Sequence, residues 1–245
     1  MRALLKQVDK RLEDQEKTDF IKWLRDDKVS SHDKMALWFP CCAAFAFGFK
    51  DLNSLVFRYP EEEAAQDKFK NVINQHSLED ANHWPMYLSD LKTLGLDKTM
   101  KFSDFLKEMW SDDTVKQRWA TYRFCQMAEI CQDPVERYAL IETIELFGHY
   151  LFGVFKDISV QHAKETGINL KYLGQQHFDK EVGFLTNQDD DVQDEILDIE
   201  LSESVKERLS VYVLEVCDMI EDRWTEFFEY AQKHKPAPEG DKLAS

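Results

Sequence analysis

Glycine and proline are scarce, at 8 and 6 of 245 residues, which leaves too few turn formers for an architecture of many short strands. Cysteine is also sparse: Cys41, Cys42, Cys125, Cys131 and Cys217 are an odd number, and they show neither CxxC nor Cys/His zinc-finger spacing. That speaks against a disulfide scaffold and a structural zinc site, and it fits reduced thiols in the cytosol. Positive charge is the minority, with 31 Lys and Arg against 47 Asp and Glu, for a net charge of -16. Such a surface repels phosphate backbones and anionic lipid, so neither nucleic acid nor membrane is an expected partner. Met1 to Lys17 alternates charge with Leu and Val, unlike a leader peptide. The longest apolar run, Ala36 to Phe49, contains Pro40, falls short of a membrane span and reads as a buried core helix. A cytoplasmic location is expected. No heme or nucleotide motif is present.

What the chain does have is 43% hydrophobic and 13% aromatic residues arranged with a period near 3.6. The pattern predicts an all-α bundle of about 7–8 helices in a single domain over 1–234, followed by a disordered tail over 235–245. Expected helices are Leu4 to Leu24, a segment capped by Ser30-Ser31-His32-Asp33 and running through Met35 to Phe47, and Glu61 to His83. Pro85 interrupts or kinks the chain before Met86 to Leu94 and a Gly95 stop. Further helices are expected at Ser103 to Trp110, from Asp112 or Asp113 to Cys131, Val135 to Thr166, Leu170 to Leu185, and from Ser202 or Ser204 to Lys233. The acidic stretch Thr186 to Asp198 reads as a solvated loop or helix face, because it lacks the alternating ligands and central Gly of a calcium loop.

Three segments concentrate metal-ligand chemistry. His76, Asp80 and His83 stand at i, i+4 and i+7, within an arc of roughly 60° on one helix face. Glu145 sits between Ile144 and Leu146 in apolar surroundings, where a carboxylate is costly to bury unless it is paired or metal-bound. Glu142 and His149 are its neighbours at i-3 and i+4. His177 and Glu181 are again i and i+4. With Asp80 or its neighbour Glu79, these residues supply about six ligands, and carboxylate oxygen with imidazole suits iron better than a thiolate-preferring structural zinc. Solvated polar faces and satisfied hydrogen bonds are the alternative reading of each segment.

The chain resembles the heme-oxygenase-like di-iron oxidases, the iron-containing branch of the superfamily that also holds the TenA-type thiaminases and the cofactorless quinone-cofactor (PQQ) synthase. The resemblance runs through Phe20-Ile21-Lys22-Trp23-Leu24, Glu79-Asp80-Ala81-Asn82-His83, Asp90-Leu91-Lys92-Thr93-Leu94-Gly95-Leu96, Glu145, and His177-Phe178-Asp179-Lys180-Glu181-Val182-Gly183-Phe184. It implies a heme-oxygenase-like fold and a ligand set of Glu79 or Asp80 with His83, then Glu145, then His177 and Glu181. Phe184 stands where the family's third run ends in histidine, and His76 is placed to compensate. A rearranged site, a single iron and a relic without metal therefore all stay open.

The implied activity is a dioxygen-dependent, iron-containing oxidoreductase (one or two ions) acting on a small amine, amino acid or fatty acid. Trp84, Tyr87, Phe147, Tyr150, Tyr172 and Phe184 would wall the substrate pocket, although ordinary core packing accounts for any one of these rings. Two alternatives accompany this reading: a TenA-like hydrolase of pyrimidine or thiamin-type compounds using Cys125 or Cys131, and a non-catalytic binding or scaffold protein. Expected partners are a small-molecule substrate and, as one option, a second copy of the chain in a homodimer.

Overall fold

The computed structural model describes residues 1–184 and 190–235, leaving the side chains at 180–184 and 190 outside the described set. Among the described residues there is no strand, and the all-α expectation holds. In chain order the α-helices are α1 (Arg2–Gln15), α2 (Asp19–Leu24), α3 (Ser31–Ala36), α4 (Ala43–Asp51), α5 (Glu61–Ala64), α6 (Lys68–Asp80) and α7 (Trp84–Thr93). They continue with α8 (Phe102–Met109), α9 (Val115–Ile130), α10 (Pro134–Thr166), α11 (Gln175–Phe184), α12 (Asp190–Leu197) and α13 (Glu203–Lys233).

The helix number exceeds 7–8 because several expected helices are divided by local caps. Thr18 accepts from the Ile21 N–H and starts α2, so Leu4 to Leu24 becomes two helices. Asp67 accepts from the N–H groups of Phe69 and Lys70 and restarts the chain at α6, dividing Glu61 to His83. Around Pro40 the chain tightens into a 3-10 turn, Phe39–Cys42, and past α4 it widens into a π-turn, Leu52–Val56.

Helix α3, the 3-10 turn, α4 and the π-turn run on as one helical stretch, Ser31–Val56, 26 residues, which is long and apolar enough by length and composition to cross a membrane, a test that a buried core helix also passes. Half of its most apolar window is buried inside the protein.

Two long helices form the centre. Asp133 caps α10 by accepting from the Val135 and Glu136 N–H groups, Pro134 opens its first turn, and Gly167, at φ 75°, closes it in the left-handed region. Ser202 caps α13, whose Leu209, Val213, Val216, Ile220, Trp224 and Phe227 line one buried stripe. Helix α10 packs against α13, α11, α3, α1 and α6, while α13 also covers α9, α1 and α2. The continuous apolar core extends from Met1 to Ala231 along the chain.

A buried carboxylate sets the approach to α11. Helix formation is expected from Leu170, yet α11 begins at Gln175. The reason is Asp90 on α7, which is 0% exposed and accepts from the N–H groups of Lys171 (2.7 Å), Tyr172 (2.8 Å) and Leu173 (3.0 Å). The backbone before α11 therefore bonds to a side chain rather than to a preceding helical turn. Asp90→Ala leaves these donors buried without their acceptor and is expected to lower unfolding stability by on the order of 3 kcal/mol in chemical denaturation. A loss below about 1 kcal/mol would show that Asp90 does not anchor the segment.

Candidate metal centre

The middle of the bundle brings ionisable groups together from four elements. His76 and Asp80 lie one turn apart on the last part of α6, and His76 Nε2 is 3.1 Å from Asp80 Oδ2. Glu145 reaches the same imidazole from α10, with its Oε1 3.4 Å from His76 Nε2. One ligand atom from each of His76, Asp80 and Glu145 can be chosen so that all lie within 4.8 Å of one another, and this group could hold a metal ion. The donor set, one imidazole and two carboxylates, fits a hard or borderline divalent ion.

His83 arrives differently from expectation. Helix α6 ends at Asp80, and His83 is the residue immediately before α7, so it does not continue the face of His76 and Asp80. The intervening turn still buries it, placing Nδ1 3.8 Å from Asp80 Oδ1. Pro85 sits in the first turn of α7, where its missing N–H is harmless, so it starts a helix rather than kinking one.

His177, from α11, is 1% exposed. Its Nδ1 is 2.9 Å from the Tyr172 carbonyl, an acceptor only, so that nitrogen carries the proton and donates. Its Nε2 then accepts in the neutral ring from His83 Nδ1, 3.0 Å away. The two rings meet edge to face at 4.4 Å, and Tyr172 stacks on His177 at 4.7 Å. Because Asp90 fixes the Tyr172 N–H and the Tyr172 carbonyl fixes His177, the imidazole orientation is set from α7 through two hydrogen bonds.

Two cavities meet at this cluster. The first, about 110 Å³, is lined by His76, Glu79, Asp80, His83, Glu142, Glu145 and His149, together with Val72, Ile73, Tyr138, Ile141, Leu146 and Gln193. The second, about 90 Å³, shares Asp80, His83 and Glu145, and adds His177 and a largely aromatic wall that includes Trp84, Phe147, Phe152, Tyr172 and Trp224. Of the rings named from the sequence, Trp84, Phe147 and Tyr172 border this cavity. Tyr87 and Tyr150 do not line it. The Tyr87 hydroxyl is buried and donates to the Phe39 carbonyl, whereas the Tyr150 hydroxyl turns outward and donates to Glu16. Glu79 borders the first cavity but is not in the His76–Asp80–Glu145 group. Glu181 and Phe184 have side chains outside the described residues.

Burial and neighbouring charge oppose one another at the cluster. Burial opposes the His76 imidazolium, but Asp80 and Glu145 outweigh it and hold the His76 pKa well above its ordinary value. Burial pushes the Glu142 carboxyl up, against the Tyr138 hydroxyl and His76. Glu142, half-buried at the cavity wall, therefore gives up its proton less readily than an ordinary carboxyl. Thiols elsewhere are pushed up by burial, Cys131 to about 11 and Cys125 in the same direction.

One charged cavity residue has no counterpart in the sequence expectations. Arg223 of α13, 6% exposed, lines the second cavity. Its register is the available signal: it falls between Ile220 and Phe227 on the buried stripe, a position a surface arginine would avoid.

No protein-family model and no curated protein matches the chain.

In metal-free protein the His76 imidazole should titrate above the ordinary value of 6.5. Its contribution to stability is complete below about 6.5 and is lost as pH rises through the raised value. The His76→Gln variant should flatten that decline in denaturation profiles. A His76 resonance titrating at or below its ordinary value would contradict the paired arrangement.

Proposed function

We propose that the protein is a metal-dependent oxidase or oxygenase that uses iron and dioxygen on a small organic substrate, with His76, Asp80 and Glu145 as the primary ligands. The observation carrying this reading is the convergence of one imidazole and two carboxylates from α6 and α10 within 4.8 Å, at the junction of two cavities. The resemblance to the heme-oxygenase-like di-iron oxidases implies an iron centre at the same place, sharing Asp80 and Glu145 and adding His83, His177 and Glu181, with His76 as a compensating ligand. His83 and His177 stand beside the group as the source of further nitrogen ligands, with His177 Nδ1 already committed to the Tyr172 carbonyl and Nε2 directed inward.

When bound, ferrous iron supplies the electrons for dioxygen reduction. The protein's own residues prepare the surroundings. Asp80 and Glu145 neutralise a divalent charge, and displacement of the His76 proton couples metal binding to pH. Glu142 lies beside the site on the cavity wall, its carboxyl pushed up by burial, where it is placed to exchange a proton. Phe147, Phe152 and Trp224 keep the second cavity poor in water and suit an apolar substrate body such as that of an amine, an amino acid or a fatty acid.

A second reading, a non-catalytic protein in which the cluster is a structural ion-pair network, draws on a specific observation. His76 lies between Asp80 Oδ2 and Glu145 Oε1, and the two carboxylates raise its pKa, so the imidazole can serve as their counter-ion without a metal. No such observation favours a thiol-dependent hydrolase, since burial raises the thiols of Cys125 and Cys131 and neither lines the two cavities.

Chelator-treated protein loaded with ferrous ion under anaerobic conditions should retain iron after desalting, then consume oxygen with an optical change on exposure to air. His76→Ala and Glu145→Ala should each weaken metal binding by more than the roughly tenfold typical of losing an outer hydrogen-bond partner. Absence of both retained iron and oxygen uptake in the wild-type protein would overturn the oxidase reading and favour the ion-pair network.

A further inference from the structure

The aromatic cavity has a second charged end. Arg223 enters it from α13, on the same wall as Trp224 and Phe227. Its guanidinium carbon lies 3.2 Å from the centre of the Phe45 ring, stacked on the aromatic face. Its Nε donates to Gln117 Oε1 at 2.9 Å, and Gln117 Nε2 donates back to the Arg223 carbonyl at 3.1 Å. The head group is thus held in one orientation by a side chain of α9.

What this guanidinium lacks is an anion. Among the described residues no carboxylate lies within ion-pair distance of it, and neither Nη1 nor Nη2 has a hydrogen-bond acceptor. Glu226, one turn along α13, is already occupied, accepting from the N–H groups of Lys116 (2.8 Å) and Gln117 (3.1 Å) at the start of α9. The other buried arginine provides the contrast. Arg137, 4% exposed, donates to the carbonyls of Cys131, Phe57 and Ala128 and has an acceptor for each of its nitrogens. Arg137 is a structural arginine, complete within the protein, whereas Arg223 presents two donors to a cavity. Burial lowers the Arg223 pKa to about 10, which leaves it protonated at neutral pH. A buried cation without a counter-ion is costly, and a planar fork of donors matches a carboxylate.

We propose that Arg223 is the anchor for the carboxylate of an apolar organic acid that fills the aromatic cavity, its carbon skeleton running toward Asp80, Glu145 and the two imidazoles. Between the two charged ends the wall is Phe147, Leu151, Phe152 and Phe155, which offers contact to an aryl or alkyl body and no hydrogen bond to a polar one. As a statement about the substrate of the metal centre this rests on the oxidase reading. As a statement about binding it stands on Arg223 and the cavity.

The test uses chelator-treated full-length protein, so that it does not depend on metal. Benzoate, hexanoate and octanoate are compared with benzamide, hexanol and octanol. Binding is read through the fluorescence of Trp38, Trp84 and Trp224, which all line the cavity, and through the thermal midpoint. At least one acid should bind about tenfold or more tightly than its neutral partner and raise the midpoint. R223M should abolish the preference for the acid while still binding the neutral compound, and R223K, which keeps the charge but loses the fork, should retain only part of it. Equal binding of acid and neutral partner, no measurable binding of any acid, or an unchanged preference in R223K would each overturn the anchor. Acid preference without iron retention would sink the oxidase reading alone, and iron retention without acid preference would sink the anchor alone.

Discussion

Burying charge in a helical core is expensive, and the centre of this protein is organised around that cost. Asp80, Glu145 and His76 are placed in a region that the apolar faces of α6 and α10 would otherwise close, and each is tolerated because the others are there. Removing His76 leaves two carboxylates facing the same space with no imidazole between them. The two carboxylates favour the protonated His76 imidazole, and the same donors could hold a divalent cation when the proton leaves. That dual capacity links the fold to the proposed chemistry.

A second buried carboxylate extends the control outward. Asp90 gathers the backbone before α11, that backbone presents the Tyr172 carbonyl, and the carbonyl selects the protonated nitrogen of His177. The imidazole beside the cluster is thus oriented by a residue on α7 that lines neither cavity. Arg223 and its Gln117 partner play the corresponding part on the other wall, fixed by α9 and α13. The aromatic cavity lies between an end with two carboxylates and one whose cation has no counter-ion among the described residues.

Much of this was legible before the structure. The periodicity of α10 and α13, the caps at Ser30 and Ser202, and the stop at Gly95 follow local rules that tertiary context did not override. The pairing of His76 with Asp80 is an i,i+4 relation, and the anomaly of Glu145 in apolar sequence pointed to the same place. What periodicity could not show was the end of α6 at Asp80. Reading His83 as a third residue on one face placed it near the cluster, but by an unbroken helix that does not exist; the turn through Ala81 and Asn82 delivers it instead. Tyr150 was misplaced because an apolar neighbourhood does not say which way a hydroxyl points, and its partner, Glu16, is distant in sequence. Asp90 and Arg223 both occupy buried registers of amphipathic helices, a signal of the kind that marked Glu145, yet their partners come from segments far along the chain.

The central claim is that His76, Asp80 and Glu145 together bind a metal ion. Anomalous diffraction at the iron edge, from crystals grown anaerobically with ferrous ion, tests it most directly. The account predicts a peak in contact with His76 Nε2 and with carboxylate oxygens of both Asp80 and Glu145. Density showing His76 still paired with the two carboxylates, and no peak among them at full iron loading, would contradict it.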